Sequence, residues 1–139
     1  MLIRNILEES ARKFDEVKAV KWLNKKEIME RSYGELMENV VSTRKGLLAE
    51  GFEGKHIALI GTSSVEWMES YLGIITGCTT AVPLDAALPC EDLIDLLNRS
   101  DSVALFLSPK LKPYLDAFLA NCPKLQKVWM LQEEVEDEP

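Results

Sequence analysis

The chain has 139 residues, 47% of them hydrophobic and 28% charged, which suits one compact domain and excludes a wholly disordered polymer. Its net charge is −7, yet five of its 23 acidic residues (Glu133, Glu134, Glu136, Asp137, Glu138) crowd the last seven positions, and without them it would carry −2. An acidic total argues against nucleic acid as a partner, and no apolar run approaches the roughly 20 residues of a membrane-spanning helix.

The first segment, Leu2 to Phe14, has apolar residues at 2, 3, 6, 7, 11 and 14, the spacing of a helix with Glu8, Glu9, Arg12 and Lys13 on its other side. Such a helix could lie on a membrane surface; docking on the protein's own core is the expectation preferred for its modest length. The start, Met1-Leu2-Ile3-Arg4-Asn5, lacks the basic, apolar and small-residue succession of a secretory signal, so a cytoplasmic location is expected. Two strand-like runs follow, 17–23 and 27–32, with a turn at Asn24, Lys25 and Lys26, and read as a β-hairpin.

A long helix is predicted from Tyr33 to about Glu50, with Leu36, Val40, Val41, Leu47 and Leu48 as its apolar stripe. Ser32 with Glu35 fits a capping box and Gly51 fits the stop. From residue 55 strand and helix alternate: strands at 56–60, 79–84, 103–107 and 127–131, helices at about 65–76, 90–98 and 110–120. The strands are continuous apolar runs, the mark of a parallel sheet covered on both faces. The fold class expected is therefore α/β, a doubly wound, mostly parallel sheet flanked by helices, with an N-terminal helix and β-hairpin. The helix at 65–76 is apolar on nearly every side (Val65, Trp67, Met68, Tyr71, Leu72, Ile74, Ile75), which predicts that its outer face meets something beyond this chain.

Chemistry is sparse. The cysteines, Cys78, Cys90 and Cys122, are three, widely spaced and without a CxxC or Cys–His pairing; they read as reduced, small, semi-buried side chains. A single histidine, His56, leaves no room for a His-based metal centre or a Ser–His–Asp triad. The basic clusters Lys25-Lys26 and Lys110 with Lys112 read as a solvated turn and a helix start. After the strand ending at Ile60, Gly61-Thr62-Ser63-Ser64-Val65-Glu66 has one glycine, where a dinucleotide fingerprint needs three; the Walker pattern is absent too. Ser63 with Glu66 reads as a capping box rather than an anion site. Asp85 stands at a strand end without an evident base, nucleophile or metal partner, and is expected to cap a turn.

Several stretches, taken in order, resemble the adenylate-forming acyl-CoA synthetase superfamily. Tyr33-Gly34-Glu35-Leu36 looks like its first core motif, and Ser63/Ser64-Val65-Glu66-Trp67 resembles its Asn-Ser-x-Glu-Trp stretch. Tyr71-Leu72-Gly73-Ile74-Ile75-Thr76-Gly77, followed by Ala81-Val82-Pro83-Leu84-Asp85, resembles the second core motif. The likeness is greatest to bacterial long-chain-fatty-acid–CoA ligases; aryl-CoA ligases and peptide-synthetase adenylation domains are close relatives sharing these motifs. Such enzymes activate a carboxylic acid with ATP as an acyl-adenylate, and coenzyme A then displaces AMP.

The family's catalytic features lie downstream of these motifs: a Ser/Thr/Gly-rich phosphate loop ending in lysine, a Thr-Glu pair, a ribose-binding aspartate and a lysine in a mobile C-terminal domain. None falls within this sequence. The resemblance therefore implies that residues 1–139 are the N-terminal subdomain of such a ligase, with 132–139 an acidic linker. It implies no activity for this part by itself, and ATP, magnesium, coenzyme A and a fatty acid as requirements of the parent enzyme. The partner implied is the remainder of the same polypeptide, with self-association through exposed apolar surface expected when that remainder is absent. No catalytic, cofactor-binding or metal-ligating residue is assigned. A stand-alone α/β binding module is the alternative.

Overall fold

A computed structural model describes residues 3, 6, 8, 9, 12, 18–24, 27–62 and 64–131. Lys25 and Lys26 of the expected turn, Ser63, and the acidic segment 132–139 lie outside the described residues. Ile3, Ile6, Glu8, Glu9 and Arg12 are helical, as the periodicity predicts. Ile3 and Ile6, however, are exposed, while Glu8 turns inward to Arg44. Docking of the apolar side on the core is therefore not seen at these two positions.

Strands β1 (Lys18–Asn24) and β2 (Glu27–Ser32) pair antiparallel as the predicted hairpin. Helix α1 (Tyr33–Ala49) begins at the expected capping box: the Glu35 amide donates to Ser32 Oγ, and the Ser32 amide donates to Glu35 Oε1. It ends in a Schellman motif. Gly51 takes φ +75, its amide donates to the Leu48 carbonyl, and the Phe52 amide donates to that of Leu47. Leu36, Val40 and Leu47 are buried as expected, but Leu48 is 47% exposed and Arg44 takes its place in the interior.

Strands β3 (His56–Ile60), β4 (Thr80–Leu84), β5 (Ser102–Leu107) and β6 (Lys127–Met130) form one parallel sheet in the order β4-β3-β5-β6. Their connections carry α2 (Val65–Ile75), α3 (Cys90–Arg99) and α4 (Leu115–Asn121). The central strands are buried almost throughout, so their side chains divide by alternation between two cores. One core joins Leu47 of α1 and Ile74 of α2 to Ile57, Leu59, Ala104 and Phe106. The other joins Leu93 and Leu97 of α3 and Phe118 of α4 to Ala58, Ile60, Leu105 and Leu107. The three-layer, doubly wound reading is thus realised.

Two expectations need correction. The helix expected over 110–120 is a 3₁₀ segment, Pro109–Tyr114, followed by the shorter α4. An α-helix through this stretch would require an amide at Pro113, which has none, and its ring would press on the carbonyl of Pro109. The cap of α2 is Ser64, whose Oγ accepts from the Trp67 amide at 3.0 Å. Glu66 therefore stands at the second helical position, one short of the place a capping box demands.

Glycine is required where α1 and α2 cross. A Cβ at Gly73 would lie 2.5 Å from Thr43 Cβ and 3.0 Å from the Val40 carbonyl oxygen. At the sheet's rim, β4 is an edge strand, with Pro83 exposed in it.

Candidate functional site

In a doubly wound sheet, ligands usually bind where strand order reverses, beyond the carboxyl ends of the strands. Here the chain leaves β3 for β4 on one side and returns to β5 on the other, so the reversal lies between Gly61 and Ser108. That position is filled. The Ser108 amide donates to the Ile60 carbonyl at 2.9 Å. A Cβ on Gly61 would sit 3.1 Å from Leu131 Cδ1, 3.3 Å from Trp67 Cδ1 and 3.4 Å from Ser108 Cβ. Trp67 Nε1 is buried there without a hydrogen-bond partner among the described residues. The described residues thus close this crevice with side chains and do not form a phosphate cradle. Nor do they bring three His, Cys, Asp or Glu side chains together in a set that could hold magnesium.

A groove of about 530 Å³ lies between α1, α2 and the ends of β5 and β6. One wall carries Arg31, Asn39, Ser42, Thr43, Glu66 and Glu69; the other carries Phe106, Trp129, Met130 and Leu131. Glu69 organises the polar wall. It is 4% exposed; Arg31 Nη2 donates to its Oε1 at 3.1 Å, and Asn39 Nδ2 to its Oε2 at 2.7 Å. Glu66 lies 4.0 Å from the same guanidinium. Burial pushes the Glu69 carboxyl above the usual carboxylate range, and the bonds from Asn39 and Arg31 offset only part of that rise. Both of its oxygens are engaged, so the cluster ties the hairpin, α1 and α2 together rather than presenting a reactive group.

On the apolar wall Phe106 and Trp129 stack at 5.0 Å, and Phe52 meets Trp129 edge-on at 6.3 Å. Trp67 and Tyr71 of α2 stack in parallel at 5.3 Å. The buried residues of α2 are Val65, Glu69, Ser70, Gly73 and Ile74, leaving Trp67, Met68, Tyr71, Leu72 and Ile75 partly covered. The all-apolar helix thus keeps an incompletely covered apolar side, as its composition predicts.

Asp85 caps a turn as expected, its Oδ1 accepting from the Ala87 amide at 2.9 Å. His56 lies at the opposite, amino-terminal rim of the sheet, and its Nδ1 donates to the Ser100 carbonyl at 2.7 Å. All three cysteines are free; Cys122 is buried and Cys90 half-buried, but Cys78 is exposed, against expectation. The sequence reading passed over Glu69, Arg31, Asn39 and Arg44. Arg44 is 7% exposed; its Nη1 lies 3.4 Å from Glu8 Oε1, while its Nε and Nη2 have no hydrogen-bond partner among the described residues. The available signal was a Glu69-Ser70 pair set inside an otherwise apolar helix.

The family model described as AMP-binding enzyme matches residues 7–139. No curated protein sequence matches the chain. Among solved structures, coronafacic acid ligase from Pectobacterium brasiliense superposes with a TM-score of 0.85 at 21% identity, over 100% of this chain and 27% of that one. A fatty acyl CoA synthetase from Mycobacterium tuberculosis gives 0.78 at 19% identity, over 90% of this chain and 25% of that one. The N-terminal domain of FACL13 from the same organism gives 0.79 at 20% identity, over 96% and 36%. The chain therefore spans only about a quarter to a third of the length of these structures.

Proposed function

The chain belongs to the AMP-binding enzyme family, and from that premise we propose that it is the N-terminal part of an ATP-dependent acid–thiol ligase. The parent enzyme joins a carboxylic acid, a long-chain fatty acid by the resemblance of the motifs, to coenzyme A through an acyl-adenylate, using ATP and magnesium, in the cytoplasm. The observation that carries the reading is the match of the family model along 7–139, supported by the short share of each neighbouring ligase that this chain spans. This part is inactive by itself. The short share of each neighbouring ligase that this chain spans supports that view. No helix among the described residues is long and apolar enough to cross a membrane.

The test uses an antibody raised to this chain. The native polypeptide is expected to be several-fold heavier than 15.7 kDa and to release AMP from ATP when given palmitate and coenzyme A. The purified 139-residue chain is expected to release none. A native band at 15.7 kDa would overturn the reading in favour of a stand-alone binding module. AMP release by the short chain would overturn its inactivity.

A further inference from the structure

A second opening lies at the amino-terminal rim of the sheet, opposite the strand ends at which ligands of a doubly wound fold usually sit. It is a groove of about 510 Å³ whose lining includes Lys55, His56, Asp101, Val103, Lys124 and Gln126. These residues stand just ahead of, or at the start of, β3, β5 and β6. We infer that this groove binds the phosphate group of a small phosphomonoester, held by Lys55, His56, Lys124 and the side-chain amide of Gln126. The inference is independent of whether the chain is part of a longer ligase.

Charge points to an anion. The chain as a whole is at −7, yet the described lining sets two lysines and the single histidine against one carboxylate, Asp101. That carboxylate is already paired with Lys124 Nζ. Glu53, in the turn before Gly54, is not among the lining residues.

The hydrogen-bond inventory points the same way. Lys55 Nζ and the Gln126 side chain have no partner among the described residues. His56 Nδ1 donates to the Ser100 carbonyl at 2.7 Å. A carbonyl can only accept, so Nδ1 keeps its proton in either charge state and Nε2 is the nitrogen left for a ligand. The carbonyls that a helix end would offer these cations are taken. Those of Leu96, Leu97 and Asn98 in α3 accept from the Ser100 amide, the Ser100 hydroxyl and the Asp101 amide. The Val103 carbonyl accepts from the Gln126 amide at 2.7 Å. The groove is thus rich in donors and poor in free acceptors. Strand order puts β5, with Val103, between the two donor pairs, Lys55 with His56 and Lys124 with Gln126. Donors on two sides suit the tetrahedral oxygens of a phosphate better than the two coplanar oxygens of a carboxylate.

His56 is the only histidine in the chain, so its ring protons report on the groove by NMR without overlap. The 139-residue chain is titrated with inorganic phosphate at fixed pH and ionic strength, with chloride as the balancing anion. A shift that saturates, half complete near roughly 1 mM phosphate, is expected. Lys55→Gln should weaken binding about fivefold. Asp101→Asn, which removes the carboxylate from the lining, should tighten it; asparagine also accepts the φ of +56 found at that position. Lys45→Gln, the same loss of charge at an exposed lysine of α1, should leave it unchanged. A shift that grows without saturating, or an equal loss in Lys45→Gln, would overturn the proposal, because both report screening rather than a site. Glycerol phosphate should give the same saturating shift. Binding of inorganic phosphate alone would mean an adventitious ion only and would overturn the assignment to a phosphomonoester.

Discussion

Glu69 shows how one side chain can hold three elements together at an electrostatic cost. Its bonds to Arg31 and Asn39 are made inside the protein, where burial raises its pKa. Glu69→Ala strips Arg31 and Asn39 of a buried acceptor and is expected to cost about 3 kcal/mol in denaturant unfolding. Glu69→Gln keeps the shape and one acceptor but turns an NH2 towards the Arg31 or Asn39 donor, and is expected to cost less than Glu69→Ala at neutral pH. The pH dependence has a definite sign. A carboxyl with a folded pKa above its unfolded one binds its proton more tightly when folded, so its contribution is full below the unfolded value, about 4.3, and is lost as pH rises through the folded value. Going from pH 7 towards 4.5, the parent should therefore gain stability relative to Glu69→Gln; a flat or opposite difference would refute the assignment. Cys78 carries a different strain, with φ at +63 and no glycine to ease it. Cys78→Gly is expected to stabilise by roughly 0.5–1 kcal/mol, seen as a higher melting temperature.

At the level of elements, most of the architecture was legible because local rules and tertiary packing agree. Continuous apolar runs mark β3 and β5, which are buried on both faces, and the Ser32–Glu35 box marks the start of α1. Errors arose where two chemically similar answers sat side by side. Ser63 and Ser64 are both good caps, and only the geometry of the Trp67 amide separates them. Ser64→Ala is expected to lower stability by about 1 kcal/mol and Ser63→Ala to leave it nearly unchanged; the reverse order in thermal melts would contradict the cap. The α-helix expected over 110–120 is not formed because Pro113 interrupts it, and the apolar spacing of Leu111, Leu115 and Phe118 does not report that break. The groove was illegible for another reason. Its polar wall is assembled from β2, α1 and α2, and no linear spacing connects Arg31 to Glu69 across 38 residues.

The whole molecule has unequal faces and unequal edges. Strand order could not be read from periodicity, which reports burial and says nothing of neighbours. The order β4-β3-β5-β6 leaves β4 and β6 as the two rims. The Thr80 amide donates across to the Lys55 carbonyl, so residues 80, 82 and 84 turn their amides towards β3 and residues 81 and 83 turn theirs outward. The outward position at 83 is a proline with no amide to offer, so the β4 rim is a poor template for another strand. Strand β6 contains no proline, and no described strand pairs with its outer edge. Growth of a fibre needs two adhesive rims on each copy, one to join and one to be joined, and this sheet has one. Rim-to-rim association through this four-stranded sheet should therefore terminate at pairs. Sedimentation velocity at rising concentration should show a dimer and then no further growth, and Pro83→Val should release the brake and let longer strings form.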